Sequence, residues 1–200
     1  MHLGFQKYLT KLYFMKNLFI FLLKKSSNIK FIDLFFVEFE SLLQTFLNLF
    51  PGNFGILIRG FLYKLFIFRN CEFPFIQKDV CFVHCKKITF GKNFTVNSFT
   101  YINAIGNIKF GDNVLIGPSV VISSGKHIIP SSLKPIILEP TLLQSINVGN
   151  DVWLGANVTI LPGISIADGC VIGANSVVTK STKKNGIYAG NPARLIRLRK

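Results

Sequence analysis

From Val148 onward the apolar positions of the chain recur with a period of six. Val148, Leu154, Ile160, Ile166, Ile172 and Val178 are all aliphatic, and the residue after each is mostly small: Gly149, Gly155, Ala167, Gly173 and Thr179, with Leu161 between them. Four places after each aliphatic stand Val152, Val158, Ile164, Cys170, Ser176 and Thr182, all small, β-branched or both. An amphipathic helix repeats every three or four residues and a half-buried strand every two, so neither fits. A period of six predicts a short strand, a turn through a third of a circle at a small residue, and a repeat. About eighteen residues then complete one triangular coil with the aliphatic inside.

The same opening appears earlier, in Ile88-Thr89-Phe90-Gly91-Lys92-Asn93-Phe94 and Ile108-Lys109-Phe110-Gly111-Asp112-Asn113-Val114, before Ile146-Asn147-Val148-Gly149-Asn150-Asp151-Val152. The offsets of 20 and 38 residues predict one coil with a small bulge, then one coil interrupted by an excursion at roughly Ser124 to Ser145. The excursion carries His127 and Glu139. The predicted class is mainly β, a coil of hexads over 71–200, preceded by an amphipathic α-helical segment over 1–70.

In that first segment the polar residues Glu38, Ser41, Gln44, Thr45 and Asn48 form a narrow stripe between Phe31 and Phe50, and the rest is apolar. Pro51-Gly52 ends this helix, and Phe54 to Phe68 reads as a second. On that second helix Arg59 and Lys64 are expected to reach lipid phosphates while Ile56, Leu57, Phe61, Leu62, Leu65 and Phe66 insert. The competing reading is that the helices cover an end of the coil or pack in an oligomer. Charged residues interrupt every apolar run short of a membrane span.

Charge sharpens this picture. The chain of 200 residues has net charge +14, and fourteen of its 21 phenylalanines precede residue 70. Residues 1–70 carry +6, residues 71–179 only +1, and residues 180–200 carry +7 with no acid. Half the chain is hydrophobic, which excludes a disordered chain. The basic residues sit in two terminal patches without an aromatic-interleaved motif, so nucleic acid is not an expected partner. Four cysteines make no disulfide framework. Cys81, His84 and Cys85 are too few for zinc, and no metal is expected. Lys7, Lys11 and Lys16 precede the apolar run Leu18–Leu23, but no small-residue cleavage site follows. The expected place is cytoplasmic, peripheral at the inner face of the cytoplasmic membrane, with Met1 and Met15 both open as the start.

The residues Phe90-Gly91-Lys92-Asn93-Phe94-Thr95-Val96-Asn97, Phe110-Gly111-Asp112-Asn113-Val114-Leu115-Ile116 and His127 form a pattern that continues in Asp151-Val152-Trp153-Leu154-Gly155-Ala156, Leu161-Pro162-Gly163, Val178-Thr179-Lys180 and Ala189-Gly190-Asn191-Pro192-Ala193-Arg194. Together they resemble the hexapeptide-repeat acyltransferases, in particular the maltose and galactoside O-acetyltransferases and the polysaccharide O-acetyltransferases like them. The resemblance covers about residues 78–200 and implies a left-handed parallel β-helix, a homotrimer and acetyl-CoA as co-substrate. It implies His127 as general base, Asn97 beside the acceptor hydroxyl and Trp153 as a wall of the site. Ala156 and Ala174 would hold the pantetheine arm by their backbones. Thr179, Lys180, Arg194 and Arg197 would meet the nucleotide end, in or next to the basic tail 185–200.

The residue types suit such chemistry. A sugar hydroxyl attacking a thioester needs a base with a pKa near neutrality, which histidine has unperturbed. An amide such as Asn97 can bond either the acceptor or a developing oxyanion. Glu139 can orient the imidazole, contact acceptor, or stand solvated. Ile128 follows His127 where the family has proline, the loop before Trp153 is about two residues longer, and Ile105 replaces an acidic acceptor-binding position. Acceptor identity therefore does not transfer. The expected activity is O-acetylation of a sugar or polysaccharide precursor; N-acetylation of an aminosugar and a non-catalytic trimeric scaffold at a membrane surface are the alternatives.

Overall fold

The computed structural model describes residues 31–67, 72–130, 133 and 135–200. The expectations about Leu18–Leu23, the N-terminal lysines and the start at Met15 lie outside the described residues, as does the end of the second helix at Phe68. The chain divides into two units, Met1–Phe39 and Glu40–Lys200. Helix α1 (Phe31–Leu47) begins in the first and continues into the second, where α2 (Gly52–Phe66) follows. Among the described residues no helix is long and apolar enough to cross a membrane.

The rest is a β-helix on three faces, its strands parallel except the last (Arg194–Leu198), which returns antiparallel to the one before it. The first face holds β1 (Phe75–Ile76), β4 (Thr95–Val96), β7 (Leu115–Ile116), β12 (Trp153–Leu154), β15 (Val171–Ile172), β17 (Gly186–Ala189) and β18 (Arg194–Leu198). The second holds β2 (Cys81–Val83), β5 (Tyr101–Asn103), β8 (Val121–Ser123), β13 (Thr159–Ile160) and β16 (Val177–Val178). The third holds β3 (Ile88–Thr89), β6 (Ile108–Phe110), β11 (Ile146–Val148) and β14 (Ser165–Ile166). The chain visits them in rotation, and like the enzymes it resembles it coils left-handed.

The six aliphatics that defined the period are all buried. Each removes a side chain from water at about 1.5–3 kcal/mol. The coils of 20 residues near the start are filled largely by Phe82, Phe90, Phe94 and Phe110, with Phe90 and Phe94 stacked at 4.4 Å. The later coil, in which Leu154 and Ile172 are paired 18 residues apart, is filled by aliphatics.

The corners explain the small residues. Asn93, Asn113 and Asp151 turn one corner with φ of 54°, 58° and 52°, a left-handed region that Asn and Asp tolerate better than other side chains. The backbone N–H of Lys92, Asp112 and Asn150 donates to the Oδ1 of Asp112, Asn150 and Asp168 in the next coil, at 2.8 Å each. A Cβ on Gly111 would fall against Asn150 Oδ1, so glycine makes room for this ladder. At another corner, a Cβ on Gly155 would come within 2.7 Å of Ala174 N, which holds the coils at strand spacing.

The helices depart from expectation in which side they present. A β-helix starts with an unpaired edge, whose backbone groups need partners when covered. Here α1 and α2 lie across that edge and supply them with polar side chains. Gln44 bonds both backbone groups of Phe82: Oε1 accepts the N–H at 2.7 Å and Nε2 donates to the carbonyl at 2.9 Å. Glu40 Oε1 accepts the Cys85 N–H at 3.1 Å, and Asn48 Oδ1 accepts the Asp79 N–H at 3.0 Å.

Arg59 is 2% exposed, so it does not reach lipid phosphates. Its Nε donates to Ile76 O at 2.8 Å, and its Nη1 donates to Phe50 O at 2.7 Å and Leu47 O at 3.3 Å. Carbonyls at the end of α1 suit a cation. Part of the expected wet stripe is therefore dry. Leu62, expected to insert in lipid, instead packs against the core.

Glu40 is the weak member of this cap. One carboxylate oxygen is buried without a hydrogen-bond partner, and burial raises the pKa above the ordinary 4.5 against the pull of the Cys85 backbone and thiol, the His84 backbone and Lys86. Between the ordinary and the raised value the folded chain holds more protons than the unfolded one, so stability falls as pH rises through that window. Glu40→Gln keeps an acceptor for Cys85 and removes the charge. Urea unfolding midpoints are expected to match wild type in acid and exceed it at neutral pH; a constant difference at every pH would remove Glu40 as the titrating group.

Candidate active site

The rotation of strands assigns each candidate residue to an edge of the prism. At the edge between second and third faces the coil breaks after β8, and the excursion begins as a hairpin arm of β9 (Gly125–His127) and antiparallel β10 (Thr141–Leu143). The arm can stand here because Gly106 and Gly125 leave room. A Cβ on Gly106 would meet Ser124 O at 2.5 Å, and one on Gly125 would meet Ile105 Cγ2 at 2.7 Å.

His127 ends β9, exposed. The register puts Thr141 opposite it, and Glu139 lies two residues before that partner. Thr141 is thus the imidazole's cross-strand neighbour, which sequence reasoning missed; its signal was the return of the chain to the coil at Ile146. Thr179 and Lys180 follow β16 on the same edge, two strands along from β8 through β13.

The other candidates lie elsewhere. Asn97 follows β4 at the edge between first and second faces, where its Nδ2 donates to Ile116 O at 2.8 Å. Ala156 and Ala174 occupy the same edge, one coil apart, after Gly155 and Gly173. The Ala156 carbonyl accepts the Asn175 N–H at 2.9 Å. Trp153 stands 51% exposed on the first face between Leu115 and Val171. Arg194 and Arg197 are exposed on β18, paired with Ala189 and Ile187. Arg199 pins this last strand, with Nη1 at 2.8 Å from Asp151 Oδ2 and 2.9 Å from Gly169 O.

The candidates therefore form two groups. His127, Glu139, Thr179 and Lys180 belong to one edge, and Asn97, Trp153, Ala156, Ala174, Arg194 and Arg197 to another edge and its face. A face of about six residues, at most roughly 20 Å wide, separates them. Counting hexads from Val148 would have given this division from the sequence.

Beside the base of the arm, on the third face, is a hollow of about 270 Å³ lined by Lys86, Lys87, Lys109, Asn107, Asn147 and Ser145 among others. Lys87 Nζ donates to Ile105 O at 2.8 Å, which fixes it at the corner next to the arm. The lining has three ammonium groups and no carboxylate, a surface suited to an anion.

Comparison with known proteins fits this architecture. Residues 145–180 match the family model "Bacterial transferase hexapeptide (six repeats)". The chain is 37% identical over 126 residues to galactoside O-acetyltransferase of Escherichia coli K12, an alignment covering 63% of this chain and 61% of that relative's length, just under two thirds of it. It is 34% identical to WbbJ of the same organism, provisionally named a lipopolysaccharide biosynthesis O-acetyl transferase, over 70% of this chain and 86% of that one. Among solved structures, a galactoside acetyltransferase in complex with coenzyme A superposes with a TM-score of 0.69 at 32% identity, covering 81% of this chain and 82% of that one. With the coil, its corners and its interrupting arm all in place, the chain belongs to the hexapeptide-repeat acetyltransferases.

Proposed function

We propose that this protein moves an acetyl group from acetyl-CoA to a hydroxyl of a sugar or polysaccharide precursor. The observation that carries the reading is His127, exposed on a two-stranded arm where the hexad coil is interrupted after β8. His127 takes the proton of the acceptor hydroxyl as its oxygen attacks the thioester carbonyl. The tetrahedral intermediate collapses with cleavage of the carbon–sulfur bond, and the leaving thiolate recovers the proton from the imidazolium. Holding both substrates in one groove supplies a further part of the rate.

That groove needs more than one copy of the chain. Two edges of one prism cannot face each other, but the edge of one copy can meet the other edge of its neighbour, and in a closed ring of three every edge of both kinds finds its counterpart. The acceptor is best read as a phosphate-bearing saccharide precursor, because the lysine-lined hollow adjoins the arm. The place of action is cytoplasmic, where acetyl-CoA is available.

The test is release of coenzyme A thiol from acetyl-CoA with a panel of free sugars, aminosugars and phosphate-linked saccharides. Acceptor-dependent release is expected, strongest with the phosphate-linked class. Binding of acetyl-CoA with no release across the panel would instead support a scaffold.

A further inference from the structure

We propose that the outer faces of α1 and α2 dock this protein on an anionic lipid surface. The two helices turn their polar side chains inward, because Gln44, Glu40 and Arg59 are engaged with the edge of the coil. While Leu47, Leu62 and Tyr63 pack inward, other apolar residues face out: Leu42, Phe46 and, just past α1, Leu49 are 70%, 51% and 71% exposed, and Phe54, Leu57 and Phe61 are 66%, 57% and 59% exposed. A contiguous face of large apolar side chains marks an interaction surface.

Charge selects the occupant. Between Glu40 and Ile67 the one exposed charged residue is Lys64, since Glu40 and Arg59 are buried. Glu38, earlier on α1, is the nearest exposed acid in sequence. Residues 1–30 carry six lysines and no acid. Apolar area joined to excess lysine is the combination that holds a helix at an anionic bilayer surface.

The test is flotation of the full chain with vesicles of phosphatidylglycerol and phosphatidylcholine, and with phosphatidylcholine alone. It is compared with a variant carrying Leu42→Gln, Phe54→Gln and Phe61→Gln, all at exposed positions. Wild type is expected to float with the anionic vesicles, less at high salt, and the variant to bind at least about tenfold more weakly with an unchanged melting curve. Equal flotation of the two, or no flotation of wild type, would overturn the proposal. So would concentration-dependent self-association that the three substitutions abolish, which would assign the face to a second copy. Acetyl transfer to a water-soluble acceptor is expected to be the same in both proteins, so a failure of the catalytic reading would leave this result interpretable.

Discussion

Replacing His127 by alanine is expected to lower acceptor-dependent thiol release by about 10²–10⁴-fold, the range for loss of a general base. The ring is exposed on the arm and fills no part of the core, so the melting curve should not move. Binding of acetyl-CoA, followed by calorimetry, should change little, because the proposed base is on the arm and the proposed donor groove runs along the other edge of the coil. An unchanged turnover would place the base elsewhere.

The division of candidates between two edges adds a stronger form of this experiment. Ala174→Glu, at an exposed position on the opposite edge, is expected to block the donor groove. Each variant alone should be inactive, and assemblies co-expressed from the two should recover part of the activity, since some junctions pair an intact arm with an intact edge. No recovery would argue for a site within one chain.

The second large effect is expected in the cap. Gln44→Leu keeps the size of the side chain but removes both of the amide's hydrogen bonds to the backbone of Phe82 under α1. Losing a hydrogen bond at a buried backbone group costs about 1–3 kcal/mol. Thr45→Leu, at the neighbouring exposed position, changes no buried partner and should stay within about 0.5 kcal/mol of wild type. Denaturant unfolding of the two would separate the readings: if Gln44→Leu is as mild as Thr45→Leu, the cap does not depend on that amide. A weakened cap also bares a parallel edge that other chains can extend, so Gln44→Leu should aggregate more readily.

The sequence and the structure agree most closely where one physical rule acts alone. Val148 to Val178 were legible as inward because an aliphatic at every sixth place, mostly followed by a small residue, fits neither the three-to-four spacing of a helix nor the alternation of a plain strand. The excursion was legible for the same reason, as a number of residues the coil could not absorb between Ile108 and Ile146. The helices were misread where two rules competed. Gln44 looked wet because an amide on an apolar helix usually is, and the backbone of Phe82 that it bonds when buried is 38 residues away. Arg59 looked lipid-facing because a cation on an apolar helix usually snorkels. The carbonyls of Leu47, Phe50 and Ile76 that hold it come together only when three segments meet. The proposed pairing of the two edges would need a second copy, which no single chain displays.

The stacked register makes the molecule a ruler. β2, β5 and β8 are successive rungs, so the arm springs from the third, about 10 Å above the first coil. The helix layer beneath adds about 10 Å more. With that layer resting on lipid, as proposed above, the base of the arm would stand about 20 Å from the bilayer. A glycan anchored in the same bilayer would then be modified several units from its anchor, and the unit nearest the lipid would pass untouched. The number of rungs, rather than any contact with the sugar, would choose the position that is acetylated.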